Sequence, residues 1–269
     1  MDEIIKIEKL TFVYQPANVK ALDNVSFSVR KGEVVGIIGQ NGSGKTTLVK
    51  HINGLLKPTR GNVFVNGVNT KSKEIDELSK TVGYVFQNPD DQIFSNSIID
   101  EISFGPKNLG FGKRRIKELV EEALKTTGLE YVKKNHPYDL PYNKRKLIAI
   151  ASILSMNTEV VIFDEPTTGQ DYLNRRIVIK IIEELKKKGK TILVISHDMD
   201  FIAETCNRAI VLKEGKILLD DTTDKIFMKK QILKSTRLKP PQITRLAQRF
   251  KRIYDGTLSV EGFFNQMYK

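Results

Sequence analysis

GQNGSGKT, residues 39–46, is the stretch that decides the fold, because it matches the phosphate-binding pattern G-x-x-x-x-G-K-[ST]. An apolar run at residues 34–38 precedes it and a helix predicted over residues 47–52 follows it, which is the strand–loop–helix context that the pattern requires. The glycines let the backbone turn tightly, so that successive N–H groups point inward at a phosphate. The helix adds the positive end of its dipole. This agreement predicts a nucleotide-binding core rather than a chance glycine-rich turn.

Two polar residues of this loop have expected partners on a nucleoside triphosphate. The ammonium group of Lys45 is expected to reach the β- and γ-phosphates, and the hydroxyl of Thr46 is expected to bind Mg²⁺. The nucleotide-binding residues predicted within and beside the loop are Gly39, Asn41, Gly42, Ser43, Gly44, Lys45, Thr46 and Thr47.

The composition limits the kinds of structure that the chain can form. With 269 residues, of which 40% are hydrophobic, the chain is long enough for one full core and a smaller appended unit. No apolar run approaches the roughly 20 residues that cross a bilayer, and the first ten residues show no signal-peptide pattern. The single cysteine, Cys206, excludes an internal disulfide and suits a reducing compartment. We expect it to be a small buried apolar side chain.

Apolar patterning divides the chain into three units. Residues 4–14 and 24–30 alternate as antiparallel strands do, whereas continuous apolar runs elsewhere predict buried parallel strands. Charged, helix-period segments dominate the middle of the chain, and two prolines at 240–241 interrupt its last part. The predicted fold is α/β, with a P-loop NTPase (RecA-like) core, an antiparallel β subdomain, a helical insertion and a small C-terminal unit. The predicted boundaries are 1–87 plus 157–224 for the core, 88–156 for the helical subdomain, and 225–269 for the C-terminal unit.

A second apolar run ends in two adjacent acids. The sequence VVIFDEP, residues 160–166, reads as a buried strand with Asp164 and Glu165 at its end. Asp164 is placed to hold Mg²⁺, directly or through water, and Glu165 to polarise an attacking water or accept its proton. Transfer of a γ-phosphoryl group requires little covalent chemistry from the protein, so positioning and charge dominate.

The ordered set of these motifs resembles the ATP-binding-cassette ATPases over about residues 4–222. The fold, ATP hydrolysis as the reaction, and ATP and Mg²⁺ as cofactors are what this resemblance implies. The motifs that carry it are, in chain order, the phosphate loop, Gln87, the acidic strand end, the turn Gly169-Gln170-Asp171 and His197.

The resemblance also assigns individual roles. It gives Gln87 the sensing of Mg²⁺ and the attacking water, His197 a contact with the γ-phosphate, and Asp171 contacts between two subunits. Tyr14 lies where such ATPases stack an aromatic ring on adenine, although an ordinary strand aromatic explains it equally well. The predicted catalytic residues are thus Glu165, His197 and Gln87, and the predicted metal ligands are Thr46, Gln87 and Asp164.

A finer resemblance covers residues 88–110 and the motif PPQITRLAQ at residues 240–248, which look like the ATPase subunits of energy-coupling factor transporters. That family docks the first segment on a transmembrane partner, so Asp90 and Asp91 are expected to pair with partner arginines. A solvated, helix-capping acidic turn is the alternative. The family's C-terminal unit joins two ATPase subunits, which gives residues 225–269 a role in dimerisation.

The chain departs from the family at the signature segment. Where the family has Leu-Ser-Gly-Gly-Gln, this chain has Leu140, Pro141, Tyr142, Asn143 and Lys144. The family's signature caps the ATP held by the facing subunit. Pro141 has neither a hydroxyl nor an N–H group, and Tyr142 is bulky where glycine allows close approach. We therefore expect an interface of Pro141, Tyr142, Asn143 and Asp171 with a second, unlike ATPase, unless this family tolerates a varied signature.

Three interpretations of function follow. The leading one is the ATP-hydrolysing subunit of a membrane uptake transporter, peripheral on the cytoplasmic face, with an integral membrane coupling subunit and a substrate-capture membrane protein as partners and no nucleic acid. The second is a non-transport cassette ATPase acting on nucleic acid or ribosomes. It draws on residues 225–269, which carry eleven Lys or Arg and two acids, +9 of the chain's net +12. The third is a regulatory nucleotide-binding module.

Overall fold

The computed structural model describes residues 3–250 and 256–268. Its strands, in chain order, are β1 (Glu3–Tyr14), β2 (Val19–Arg30), β3 (Val34–Ile38), β4 (Arg60–Val65), β5 (Val68–Asn69), β6 (Val82–Val85), β7 (Val160–Asp164), β8 (Thr191–Ile195), β9 (Arg208–Lys213) and β10 (Lys216–Thr222). Its helices are α1 (Lys45–Ile52), α2 (Ile75–Ser79), α3 (Ile98–Asn108), α4 (Lys113–Thr127), α5 (Tyr142–Leu154), α6 (Tyr172–Lys187), α7 (Met199–Thr205), α8 (Thr223–Met228), α9 (Lys230–Ser235), α10 (Gln242–Ala247) and α11 (Val260–Met267).

Two sheets carry the fold, as the sequence predicts. The larger sheet has the order β10-β9-β3-β8-β7-β6 and is parallel except for β10, which pairs antiparallel with β9. The smaller sheet is antiparallel, with the order β2-β1-β4-β5. In a parallel sheet the carboxyl ends of the strands meet at one edge, where ligands bind. The residues after β3, β6, β7 and β8 therefore converge there.

The parallel strands are buried on both faces, which explains their continuous apolar sequences. On β3, Val34 and Ile38 pack into a cluster with the helices of the insertion and α6, whereas Val35 and Ile37 pack against α1 and the antiparallel sheet. The same alternation continues on β7 and β8. Because side chains alternate across a strand, one short apolar run supplies two hydrophobic cores.

Helices α3, α4 and α5 pack on one another and form the insertion that the sequence predicts between β6 and β7. The amphipathic α4 ends at Gly128, whose positive φ of 67° provides the left-handed C-cap. Five consecutive residues of α5, from Leu147 to Ala151, are completely buried. This helix lies in the middle of the insertion and contacts the segment that follows β6.

Helices α8 to α11 follow β10, and Ile226, Phe227 and Leu233 of α8 and α9 still belong to the larger core cluster. Ala247 of α10 and Phe263 of α11 are buried against each other, with Ile243 packed beside them. Helices α10 and α11 lie within the predicted C-terminal unit, of which residues 251–255 and 269 are not among the described residues. Among the helices that the structure describes, none is both long and apolar enough to cross a membrane.

Element boundaries differ from the sequence predictions at two places. β2 begins at Val19 rather than at residue 24, and α1 begins at Lys45 rather than at residue 47. The start of α6 is marked by its N-cap Asp171, whose carboxylate accepts the N–H of Asn174 at 2.8 Å. A cap of this kind acts through a side-chain hydrogen bond and not through the apolar pattern, so the pattern alone does not locate the helix start.

Candidate active site

The loop after β3 has the backbone that a phosphate cradle requires. Gly42 and Gly44 have φ values of 78° and 101°, which side-chain-bearing residues rarely adopt. A Cβ atom at Gly44 would lie 2.7 Å from the carbonyl oxygen of Ala21, and one at Gly39 would lie 2.3 Å from that of Leu212. The glycines at 39 and 44 are thus needed because other backbone approaches the loop closely. α1 begins at Lys45, so the last two residues of the motif lie in the first turn of the helix.

Lys45 lies inside this loop. Its Nζ donates to the carbonyl oxygens of Gly39 at 2.9 Å and Gln40 at 3.0 Å, and its side chain is buried. Burial lowers the pKa of the Lys45 ammonium, while the charges of Glu165 and Asp164 oppose that shift. The ammonium is therefore held at the centre of the loop, close to both acids.

Asp164 forms the centre of a hydrogen-bond network at the end of β7. Its Oδ2 accepts hydrogen bonds from the hydroxyl of Thr46 at 3.0 Å and from that of Tyr84 at 2.7 Å. Its Oδ1 is buried and has no hydrogen-bond partner among the residues that the structure describes. Burial raises the pKa of the Asp164 carboxyl, and the Tyr84 and Thr46 hydrogen bonds oppose that effect. A carboxylate with one unused oxygen beside a hydroxyl fits Mg²⁺, which takes oxygen ligands.

Glu165 and His197 contact each other at the same edge. The Glu165 Oε2 lies 2.8 Å from His197 Nδ1 and also accepts the His197 backbone N–H at 3.4 Å. Glu165 is almost completely buried and has a φ of 48°, a left-handed backbone that its N–H stabilises by bonding the Ile195 carbonyl at 2.9 Å. The His197 side chain is 61% exposed. Two of the three predicted catalytic residues therefore contact each other, with the glutamate buried and the imidazole open to solvent.

These groups open into a cleft of about 470 Å³, within the size range of small-molecule sites. Gln87 is exposed at the rim, and Tyr14 lies at the mouth with its hydroxyl 3.1 Å from Thr47 Oγ1. Three of the predicted nucleotide-binding and catalytic residues do not line this cleft: Gly39 and His197 border a neighbouring one, and Ser43 is buried within the loop. The cleft is lined by Tyr14, Val19, Lys20, Ala21, Asn41, Gly42, Gly44, Lys45, Thr46, Thr47, Gln87, Asp164, Glu165 and Ile195.

The altered signature segment is tied to the turn before α6 in the same chain. The ring of Tyr142 covers Gly169, where an added Cβ would lie 2.7 Å from a ring carbon. Asn143 Nδ2 donates to Asp171 Oδ2 at 2.9 Å. The hydrogen bond from the backbone N–H of Asn174 lowers the pKa of the Asp171 carboxyl, and the hydrogen bond from Asn143 lowers it further by a smaller amount. Pro141 is the N-cap of α5 and supplies no side-chain hydrogen bond there.

The two acids that follow Gln87 have intrachain partners. Asp90 forms a bidentate ion pair with Arg145, at 2.8 Å to Nε and 3.3 Å to Nη2, and Arg145 also donates to the Leu140 carbonyl. Asp91 accepts a hydrogen bond from the side chain of Asn88 at 3.2 Å. The sequence prediction for these acids was a pairing with partner arginines or, alternatively, a solvated, helix-capping acidic turn. In the structure, an arginine of the same chain already contacts Asp90.

Sequence reasoning did not identify Tyr84 and Lys146 as site residues. The Lys146 side chain is fully buried, and its Nζ contacts the carbonyl oxygens of Phe86, Gln87 and Asp164. Burial lowers the pKa of this ammonium to about 8, while the charges of Asp164 and Glu165 oppose the shift. The sequence feature that could have identified Lys146 is its position directly before the apolar run LIAIA, where a buried charge is unexpected. Nothing in the sequence pairs Tyr84 with Asp164, because that contact depends on β6 lying beside β7.

The geometry agrees with comparisons to known proteins. Residues 22–168 match the family model described as ABC transporter. A putative ABC transporter ATP-binding protein of Caldanaerobacter subterraneus subsp. tengcongensis is 42% identical over 260 residues, which is 97% of this chain but only 45% of that relative. This chain thus spans less than half of that relative's length.

Two further similarities cover nearly the whole of both chains. An energy-coupling factor transporter ATP-binding protein of Methanocaldococcus jannaschii is 39% identical over 247 residues, covering 91% of this chain and 88% of that relative. The solved structure of cbiO1 from Clostridium perfringens, described as part of the ABC transporter complex cbiONQ, has a TM-score of 0.77 and 34% identity. That match covers 92% of this chain and 100% of the other.

Proposed function

Because the chain belongs to the ABC transporter family of ATP hydrolases, we propose that it is the ATP-hydrolysing subunit that powers a membrane uptake transporter of the energy-coupling factor type. The observation that carries the proposal is the meeting of Lys45, Thr46, Asp164 and Glu165 in one cleft. This arrangement supplies a cation for the phosphates, oxygen ligands for a metal, and a buried carboxylate for the attacking water. The relatives reported above are named for transport, which favours this interpretation over one based on nucleic acid.

Each side chain of the cleft has a role that follows from its position. Lys45 holds the β- and γ-phosphates together with the N–H groups of the loop. Thr46, Asp164 and Gln87 would hold Mg²⁺, which would neutralise charge on the phosphate oxygens. Glu165 orients the attacking water or accepts its proton. Two contacts of its carboxylate with His197 hold it in position for this role. Tyr14, at the mouth of the cleft, offers a ring face for adenine.

The decisive experiment measures ATP turnover and solute uptake by the assembled transporter reconstituted in vesicles. Glu165→Gln is expected to reduce both by about 100-fold or more, the range typical of losing a general base, while ATP binding persists. Glu183→Gln makes the same chemical change at an exposed position of α6 and should leave both rates unchanged. If Glu165→Gln left turnover unchanged, this assignment of the catalytic base would be wrong and a regulatory module would be favoured.

We further propose that the chain works in a heterodimer with a second ATPase. A family signature supplies a hydroxyl and close backbone approach to the facing nucleotide, and Pro141 and Tyr142 supply neither. Tyr142 and Asn143 are moreover engaged with Gly169 and Asp171 of their own chain. Losing one or two charge-assisted hydrogen bonds costs about 1.5–3 kcal/mol each, or roughly 10- to 100-fold per bond in rate if they act in the transition state.

This proposal predicts that the purified chain alone turns over ATP slowly and that a partner with a full signature restores turnover. Rebuilding the signature with Pro141→Ser, Tyr142→Gly, Asn143→Gly and Lys144→Gln together should raise the activity of the isolated chain, provided that it pairs with itself. Brisk turnover by the unmodified chain alone, with both sites of a homodimer equally active, would remove the reason for a heterodimer.

The membrane partner is proposed to dock beside residues 88–110. Phe94 and Phe104 are 61% and 44% exposed and form an edge-to-face pair with ring centroids 4.7 Å apart. We propose that an integral membrane coupling subunit covers this pair near Asp90 and Asp91, and that a separate membrane protein captures the solute. The ATPase is then peripheral on the cytoplasmic face. Replacing both phenylalanines by serine should abolish co-purification of that coupling subunit, whereas Tyr131→Ser, at another exposed aromatic residue, should not.

A further inference from the structure

The fully buried side chain of Lys146 has contacts that the cleft residues alone do not explain. It projects from α5, and its Nζ lies 3.0 Å from the carbonyl oxygen of Phe86, 2.5 Å from that of Gln87 and 3.4 Å from that of Asp164. An ammonium group has three donors and no acceptor, so these three carbonyls match its full donor capacity. The side chain therefore connects α5 with the backbone of two proposed metal ligands.

A second side chain holds the same backbone. Gln92 Oε1 accepts the N–H of Phe86 at 3.1 Å, while Gln92 Nε2 donates to the Ala149 carbonyl at 2.8 Å and to Ser152 Oγ at 2.9 Å. Both polar groups of the Phe86 backbone are thus linked to α5, one through a neutral amide and the other through a cation. The segment that leads into Gln87 is thus hydrogen-bonded to this helix through two side chains.

A purely structural role does not call for an ammonium group at this position. The charges of Asp164 and Glu165 act on this ammonium, but the hydrogen-bond acceptors that the structure gives it are backbone carbonyls, and burying a charge without an opposite charge in direct contact costs several kcal/mol. The neighbouring residues Leu147 to Ala151 are all apolar and buried, so an apolar side chain at 146 would extend the core. The charge is instead directed at three carbonyls of the cleft edge.

We propose that Lys146 is a positioning residue for ATP hydrolysis, which fixes the backbone at Gln87 and at the end of β7 so that the Gln87 side chain reaches the metal and the attacking water. This inference rests on the proposed function, which gives Gln87 that role. Because α5 begins at the altered signature segment, Lys146 also connects the part of the chain that faces a neighbouring subunit with this chain's own metal site. Seating of α5 against a partner thereby sets the position of Gln87.

The experiment measures ATP binding to the purified full chain by calorimetry, with and without Mg²⁺, and does not depend on turnover. Lys146→Met removes the ammonium but retains an unbranched apolar stem, and Gln87→Ala removes the proposed ligand. Each is expected to reduce the Mg²⁺-dependent gain in ATP affinity by about tenfold, the value of one hydrogen bond to a charged group. The Mg²⁺-free affinity of Lys146→Met should stay unchanged. Lys125→Met is the matched control, since Lys125 is exposed on α4.

The double variant separates positioning from a structural role. If Lys146 acts through Gln87, then Lys146→Met combined with Gln87→Ala loses no more of the Mg²⁺-dependent gain than Gln87→Ala alone. Fully additive losses, or an undiminished gain in folded Lys146→Met, would overturn the inference while leaving the proposed function intact. If thermal unfolding shows that Lys146→Met does not fold, Lys146→Gln, which keeps an amide donor, replaces it throughout. A wild-type chain without Mg²⁺-dependent ATP binding would overturn both proposals.

Discussion

Tyr84→Phe tests the hydrogen-bond network that centres on Asp164. The Tyr84 hydroxyl donates to Asp164 Oδ2 at 2.7 Å, both side chains are buried, and the phenol is 6% exposed. Removing the hydroxyl leaves Asp164 with the Thr46 hydrogen bond alone, because no partner of its Oδ1 is seen in the described residues. A hydrogen bond to a charged group contributes about 1.5–3 kcal/mol. We expect the free energy of unfolding to fall by that amount.

The assay is urea unfolding of the nucleotide-free chain. The free energies of unfolding of the variant and the wild type are compared provided that the dependence of this free energy on urea concentration is the same for both. Tyr131→Phe is the control, because Tyr131 is 73% exposed and its variant should stay within about 0.5 kcal/mol of wild type. In an Asp164→Ala background, Tyr84→Phe should cost clearly less, since the acceptor is gone. A Tyr84→Phe variant as stable as wild type, or an equal cost in both backgrounds, would refute the claim that Tyr84 stabilises Asp164.

Three further predictions concern sites outside this network. Gly169→Ala should lower the free energy of unfolding by more than the roughly 1–2 kcal/mol expected for a non-glycine residue in the left-handed region, because the new Cβ would meet the Tyr142 ring. In urea unfolding, combining it with Tyr142→Ala should remove the part of the loss that exceeds this value. Burial raises the pKa of the Cys206 thiol to about 12, so iodoacetamide at pH 8 should label Cys206 only after denaturation, as mass spectrometry would show. The ion pair of Asp90 with Arg145 is partly exposed, so a double-mutant cycle with Asp90→Ala and Arg145→Met should give a coupling of about 0.5–1 kcal/mol that weakens with salt.

Local sequence is sufficient for the phosphate loop and the acidic strand end because their information is local. The glycines, Lys45 and Thr46 occupy consecutive positions, and the buried run before Asp164 is visible in the order of residues. Positions of helix starts are less visible, since a cap such as Asp171 acts through its side chain rather than through the apolar pattern. The domain boundaries, adenine stacking by Tyr14 and the partner contacts of Asp91 stay predictions.

Long-range partners could not be predicted, because they depend on which elements become neighbours. Tyr84 reaches Asp164 only because β6 lies beside β7, with Tyr84 opposite Ile162. Arg145 and Asp90 are 55 residues apart in sequence, yet they pair because α5 packs on the segment after β6. The packing of α5 likewise brings the ammonium of Lys146 to three backbone carbonyls, a type of acceptor that every residue has and that therefore leaves no mark in the sequence.

The sequence by itself determined the class of fold, the phosphate-binding loop and the acids that complete it, because strand period, glycine spacing and motif order are properties of neighbouring residues. Only the tertiary structure decided how the carboxylate of Asp164 is held, that Glu165 contacts His197, and that α5 is fastened to the backbone at Gln87. These arrangements follow from strand order and helix packing, which bring together groups from distant parts of the chain. Asp164, Glu165 and Lys146 are thereby buried, and hydrogen bonds are stronger in the protein interior than in water.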